Sequence, residues 1–443
     1  MRVRLDPGVR RFADGRLLLG GSPTRLLRLG AAGTRLLDTW LTGEPVPPAA
    51  PARALARTLL DAGIVHPSTD PTPSSTSVVT LVVPVRNNSH GLTRLLAATS
   101  EIATRIVVDD GSRGKVLDDA GMTLVRHEHA RGPAAARNAG WRRAITPLVA
   151  FLDSDVVPAP GWLDRVVPLF EDPAVAAVAP RVRSLRGGPV GHYEARRSAL
   201  DMGPDPAAVR PDGRVRYVPT AALVVRTETL CAVGGFDESL RFGEDVDLIW
   251  RLVAAGHSVR YQPLSIVHHE PRGSFGAFLR QRFSYGTSAA PLARRHPELL
   301  PAAQLPADAA AAAALLLSGH FAAAVVPAAL NVARSAHRLR RRDVPRAAAV
   351  SLAATGQLRL ARQLADTVRR TWWPLALCTA RGRRVLRAAA ALAAAESLLE
   401  NTDVTLRLAD DLAYGLGVWA GCLRHRTLIP LLPRIRRTQT AQP

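Results

Sequence analysis

The stretch Val149–Asp164, VAFLDSDVVPAPGWLD, decides how the chain is read. An apolar run, Val149 to Leu152, passes straight into Asp153-Ser154-Asp155, and a proline-rich turn and Trp162 follow. A short apolar run bounded by turn residues is the pattern of a buried strand. In extended geometry residues i and i+2 point to one side, so both carboxylates are expected to project together from the strand's C-terminal end. Open α/β sheets bind their ligands there. Hard oxygen ligands in that place suit Mg2+ or Mn2+, with a phosphate completing the shell. A D-x-D alone is a weak signal, because most sit on surface loops; its neighbours along the chain decide.

Those neighbours alternate strand and helix over about 78–290. Apolar strand runs are expected at Val78–Val83, Arg105–Val108, Thr123–Arg126, Leu148–Leu152, Ala176–Ala179 and Ala221–Val225, with helical stretches such as GPAAARNAGWRRAI between several of them. That alternation predicts an α/β domain with a mostly parallel sheet. Before it, residues 1–66 combine a turn at Asp14-Gly15 with two leucine-spaced helices, the second ending at Gly63. Hairpin plus helices reads as a small winged-helix-like module. Residues 67–77 are polar and Pro-rich, a linker by composition. After it, 291–443 is Ala- and Arg-rich and helical throughout. Ala309 to Ala333 is uncharged and long enough to span a bilayer. Its mostly alanine content, with Ser318, His320, Pro327 and Asn331, favours a helical bundle instead, with peripheral membrane contact through Arg-flanked apolar faces as an alternative.

Composition sets the outer limits. The chain has 443 residues, 47% hydrophobic and only 5% aromatic, with a formal net charge of +21 carried by arginine, since Lys115 is the only lysine. Part of the arginine content reflects coding bias; the remainder favours anionic partners. The arginines of residues 1–66 are scattered among leucines rather than grouped on one helix, so no nucleic acid is expected. Cys231, Cys378 and Cys422 lie far apart and fit neither a disulfide framework nor a zinc spacing. The opening MRVRLDPGVRRFADG lacks the apolar core of a signal peptide. A cytoplasmic setting follows, with the inner face of the cell membrane as the alternative.

The remaining motifs fall in a telling order: VTLVVPVRNNSHGLTRLL, IVVDDGSRGK, ARGPAAARNAGWRRA, the D-x-D, then LVVRTETLCAVGGFDESLRFGEDVDLIWRL. Over about 78–272 this set resembles the family 2 glycosyltransferases of the GT-A fold. The resemblance implies roles residue by residue. Pro84 and Arg86 match the nucleobase-side loop, and Asp109 and Asp110 the pair of which one accepts the uracil imide hydrogen. Turn capping fits at least one of the two. Arg137 matches the helix arginine near base and diphosphate. Asp153 matches the ribose- and metal-side carboxylate and Asp155 the metal ligand. Glu244-Asp245 matches the pair whose aspartate is the general base of inverting members; an acid-rich helix start explains the same residues structurally. Gly234–Glu238 matches the acceptor-side loop. His268 or His269 is a candidate for the metal or diphosphate, and the sequence leaves open which one faces the site. Trp162 and Trp250 are expected to pack the core or cleft wall.

The three segments together resemble family 2 enzymes that glycosylate a small peptide-derived redox cofactor. This implies a UDP-sugar donor, glucose above all, a divalent metal, and a β-linked oligosaccharide product. Two alternatives stand beside it. One is a family 2 transferase acting on a cell-wall or polyprenyl-linked acceptor at the cytoplasmic membrane face. The other is a peptide-binding scaffold with a degenerate transferase domain, against which the intact Asp153, Asp155 and Asp245 argue. The Q-x-x-R-W motif of processive relatives is absent, Gln281–Tyr285 reading QRFSY.

Overall fold

The computed structural model describes residues 1–68, 73–114, 116, 121–185 and 187–436. Lys115 and part of the expected linker, 69–72, lie outside the described residues. The chain forms two compact units. One comprises Met1–Gly187 with Arg197–Pro271, the other Gly188–Arg196 with Arg272–Pro443.

The first unit begins with β1 (Arg2–Leu5), β2 (Arg10–Phe12), β3 (Leu17–Gly20), β4 (Arg25–Arg28), α1 (Ala31–Leu41), α2 (Ala50–Asp61) and β5 (Val65–Ser68). The chain turns at Asp14-Gly15 as expected, and β2-β3-β4 form a meander while β1 pairs β5. Leu18, Leu37, Trp40, Leu59, Leu60 and Ile64 are buried together, the amphipathic faces of both helices closing on the strands. This segment is tied to the rest of its unit by polar contacts. Arg57 pairs with Asp172 at 2.8 Å, Arg210 donates to the Asp61 carbonyl at 2.8 Å, and the buried Arg260 donates to the Leu60 carbonyl at 3.2 Å. Burial pushes the Arg260 guanidinium down to about 10.

The rest of the unit is built on a nine-stranded sheet. Its strands are β6 (Val79–Val85), β7 (Thr104–Asp110), β8 (Thr123–His127), β9 (Leu148–Leu152), β10 (Val156–Pro158), β11 (Val175–Ser184), β12 (Ala207–Ala208), β13 (Ala222–Arg226) and β14 (Ser258–His269). The order is β10-β14-β11-β13-β9-β6-β7-β8, with β12 beside β14. β6, β7, β8, β9, β11 and β14 run one way; β10, β12 and β13 run against them. The expected mostly parallel α/β sheet is therefore present, with an antiparallel insertion on one side. Every residue of β9 is buried, as its unbroken apolar run requires. The helices of this unit are α3 (Ser89–Ala98) and α4 (Pro133–Trp141), then, beyond α5 (Gly188–Arg197), α6 (Thr227–Ala232) and α7 (Glu244–Ala254).

The second unit contains nearly all of α5 and then α8 (Phe275–Thr287), α9 (Ala289–Arg295), β15 (Gln304–Pro306), α10 (Ala310–Leu317), α11 (Phe321–Arg340), α12 (Arg346–Thr367), α13 (Trp373–Leu377), α14 (Ala380–Leu399), α15 (Val404–Arg424) and β16 (Arg434–Arg436). The uncharged stretch from Ala309 is not one helix. It breaks between α10 and α11 at Gly319, whose φ of +78° a side-chain-bearing residue rarely adopts. Among the described residues no helix is long and apolar enough to cross a membrane.

Candidate active site

The C-terminal ends of β6, β7 and β9 lie side by side, and the loops leaving them build the site. After β6, Asn88 caps α3 by accepting from the Gly91 N–H at 3.1 Å, and its Nδ2 donates to the Ser154 carbonyl at 3.2 Å. The helix start and the D-x-D loop are thus held by one side chain. After β7, the Ser112 hydroxyl receives the Asn87 N–H, and the Asn87 carbonyl oxygen Oδ1 receives the Arg113 N–H. These cross-ties fix the loop that follows Pro84 of β6 and carries the exposed Arg86.

Asp109 and Asp110 separate cleanly. Asp110 is committed to structure: its Oδ1 accepts the Arg131 N–H and stands 2.8 Å from His127 Nδ1, and its Oδ2 accepts the Gly132 N–H, organising the entry to α4. Asp109 uses Oδ1 for the Ser112 N–H, while Oδ2 is buried without a hydrogen-bond donor among the described residues, Arg126 Nη1 standing 3.4 Å away. That oxygen has an ion-pair partner but accepts no hydrogen bond among the described residues, so Asp109 is the member of the pair with an acceptor to offer.

Arg137, on the buried face of α4, is only 4% exposed. Its Nη2 meets Asp153 Oδ1 at 2.6 Å and its Nη1 meets Glu244 Oε1 at 2.8 Å, and its guanidinium lies over the Phe236 ring. Asp245 also faces it electrostatically. One cation thus stands among three carboxylates. Burial pushes Glu244 up to about 7, with Asp245 adding to the rise and Arg137 opposing it. Burial likewise raises Asp153 and Asp245 above the ordinary carboxylate range, against the pull of Arg137. Glu244 and Asp245 lie in the first turn of α7, where the helix dipole favours acids.

Asp153 and Asp155 are close, though not in the way extended geometry predicts. The Val156 N–H bonds back to the Asp153 carbonyl at 3.1 Å, so the two carboxylates meet across a turn. Asp153 looks toward Arg137. The Asp155 carbonyl is taken by the Glu270 N–H, and its Oδ2 stands 3.5 Å from His269 Nε2. His269 is buried, its Nδ1 without a hydrogen-bond partner among the described residues, whereas His268 alternates to the other face of β14. Of the two histidines, the geometry therefore brings His269 to the D-x-D. Among the described residues no three His, Cys, Asp or Glu side chains form a complete ligand set by themselves.

The loop Gly234–Glu238 hangs on Asn138. Its Nδ2 donates to the Phe236 carbonyl and Glu238 Oε1, and its Oδ1 accepts from the Phe236 N–H and Trp141 Nε1. Gly235 has a φ of +71°, and a side chain there would meet Asn138 Oδ1 at 2.7 Å. Arg251 of α7 donates to the Val233 and Gly235 carbonyls at 2.6 Å. The sequence alone gives Asn138, Asn88 and Arg251 no such role. Only Asn88 left a signal, a cap residue before a helix. Trp162 and Trp250 are buried as expected.

Paired carboxylates where parallel strands end, an acid pair at the start of α7 that shares Arg137 with them, and a loop hung on Asn138 beside them make the arrangement of a glycosyltransferase. The chain belongs to glycosyl transferase family 2, whose model matches residues 80–226. It is 42% identical to the pre-mycofactocin glycosyltransferase of Mycobacterium tuberculosis over 98% of this chain and 97% of that one. It is 26% identical to glycosyltransferase AglE of Haloferax volcanii over 48% of this chain and 73% of that one. A solved mannosyltransferase from Pyrobaculum calidifontis, in complex with GDP-Man and Mn2+, covers 81% of this chain and 90% of its own at 17% identity, with a TM-score of 0.45.

Proposed function

We propose that the chain is an inverting glycosyltransferase that moves a hexose, glucose above all, from a UDP-sugar onto premycofactocin, a small peptide-derived redox cofactor, and extends it as a β-linked oligosaccharide. The observation that carries the chemistry is the excess of carboxylates at the sheet edge: Asp153, Glu244 and Asp245 around a lone Arg137, with Asp155 adjacent. The acceptor assignment rests on similarity along nearly the whole length of the mycobacterial relative. Residues 1–66 are proposed as a peptide-recognition module of winged-helix type, 67–77 as its linker, 78–290 as the transferase domain and 291–443 as a helical region.

The donor set fits Mg2+ or Mn2+. Asp155 offers a hard carboxylate and His269 an imidazole nitrogen 3.5 Å from it, and local negative charge is unbalanced. Two protein ligands leave most of the shell to phosphate oxygens. When bound, the ion supplies neutralisation of charge on the departing diphosphate. The chain's own groups do the rest. Asp109 Oδ2 accepts the N–H of the base, and Pro84 and Arg86 line the base-side loop. Arg137 holds Asp153 and Glu244 in register. Asp245, its pKa raised by burial above the ordinary carboxylate range, takes the proton of the acceptor hydroxyl as that oxygen attacks the anomeric carbon opposite the leaving group. Asn138 sets the loop against which the acceptor lies.

Isothermal titration of the full chain with UDP and UDP-glucose, with Mn2+ and with EDTA, tests this reading. Metal-dependent binding is expected, and Asp155→Ala should remove the metal dependence and lower turnover about 10²–10³-fold with an unchanged melting temperature. Binding that ignores EDTA would remove the metal assignment, and failure of both uridine ligands would remove the donor.

A further inference from the structure

The second unit carries a basic pocket that plays no part in the chemistry above. Where α15 ends, Arg424, His425, Arg426, Thr427 and Ile429 close on Arg294 of α9 around a cavity of about 490 Å³. The ordinary task of basic residues at a helix C-terminus is to satisfy its last carbonyls. Here backbone N–H groups already do so: those of His425, Thr427 and Arg426 bond to the carbonyls of Gly421, Cys422 and Leu423 at 2.9, 3.0 and 3.3 Å. The second ordinary task is ion pairing. Among the described residues no carboxylate pairs with Arg294, Arg424 or Arg426, and all three side chains are exposed. The positive charge of the pocket is therefore directed outward.

Its immediate chain neighbours are apolar and equally exposed. Leu423, Leu428 and Leu432 stand 76%, 63% and 56% open to solvent, interleaved with the arginines along the chain. An isolated exposed leucine means little, but three exposed leucines within a few residues of unpaired arginines, in a segment whose cavity is lined by Arg294, Arg424 and Arg426, suit an interface that is anionic at its surface and apolar beneath. A soluble phosphate would draw on the arginines and leave the leucines without purpose.

We propose that this face docks on an anionic phospholipid surface, the arginines meeting headgroup phosphates and the leucines entering the interfacial layer. Attachment is peripheral, consistent with the absence of a spanning helix among the described residues. The proposal is independent of the donor and acceptor assigned above, since none of its residues belongs to the site.

The test is flotation of the full chain with vesicles of phosphatidylcholine alone and of phosphatidylcholine with phosphatidylglycerol in equal parts. The chain should float only with the anionic vesicles, and less as salt rises. Arg424→Glu with Arg426→Glu should weaken vesicle binding at least about tenfold, and Leu423→Ser with Leu428→Ser should weaken it while UDP titration stays as in the wild type. Equal flotation with both vesicle types would overturn the proposal, as would charge-reversed variants that float like the wild type. Titration with inorganic phosphate covers the other source. If millimolar phosphate saturates the pocket and the leucine variants float unchanged, the pocket is a soluble-anion site and the lipid assignment fails.

Discussion

Both units bury arginine among carboxylates, and they do it to different ends. In the helical unit Arg369, Arg370 and Arg407 face Asp366, Glu396 and Asp411, with Arg369 Nη1 at 2.7 Å from Asp411 Oδ2. Arg362 also reaches Glu396 and Asp410 also faces Arg370, so cations and anions match four for four. In the sheet unit a single arginine, Arg137, is shared by Asp153, Glu244 and Asp245 among the described residues. Burial raises carboxyl groups in both places, Asp411 to about 6 and Glu244 to about 7. A raised carboxylate is therefore no mark of a site. What distinguishes the sheet unit is unbalanced negative charge at an edge where Asp153 keeps about a third of its surface in solvent. A balanced network locks helices; an unbalanced one is what the proposed cation and diphosphate would complete.

Asp245→Asn should break the comparison most visibly. Turnover is expected to fall about 10²–10⁴-fold, with UDP affinity and melting temperature near wild type, because the amide keeps the shape and removes only the base. If donor affinity collapsed with turnover, Asp245 would be a structural acid like Asp411. The mirror experiment is Arg369→Ala. Removing Arg369 takes the nearest cation from Asp411 and leaves it Arg370 at 3.4 Å and Arg407 at 3.7 Å; the loss should cost up to about 3–5 kcal/mol of stability, read as a lower denaturant midpoint, while UDP binding per folded molecule is unchanged. A loss of UDP affinity without a loss of stability would reverse the roles assigned to the two networks.

The sheet was legible where burial alone dictates sequence. The expected strand Leu148–Leu152 is the observed one, because a strand covered on both faces is an unbroken apolar run. β14 was legible only at its end. Its Arg260, Gln262 and Pro263 do not read as a strand, and the ladder shifts register there, between Gln262 and Ile266, with Leu264 half exposed. The site residues were legible as types in order, not as partners. Nothing in Asp109-Asp110 tells which carboxylate is consumed, since that depends on the Arg131-Gly132 backbone folding back over β7. The role of Asn138 likewise exists only once Phe236 and Glu238 arrive from about a hundred residues away. The distinction between His268 and His269 needed the pairing of β10 with β14, which sets His269 opposite Val156.

Glu244→Gln offers the smallest effect and the sharpest reading of the imbalance. In the folded chain burial holds the Glu244 carboxyl at about 7 against an ordinary 4.5. Below the ordinary value both folded and unfolded chains carry the proton, and the residue has no influence on stability. Between the two values the unfolded chain has released its proton and the folded chain retains it, so stability falls as pH rises. Above about 7 the full cost stands, up to about 3 kcal/mol. Glutamine cannot ionise, so the variant should lose this slope. Its melting temperature should change less than that of the wild type between pH 5 and pH 8, and at the upper end it should be the more stable protein. Its turnover should nevertheless be lower, because Arg137 would then be drawn to Asp153 alone and the carboxylate excess reduced. Parallel melting curves for the two proteins would mean that Arg137 already neutralises Glu244, and that the charge in this site is as evenly matched as in the helices.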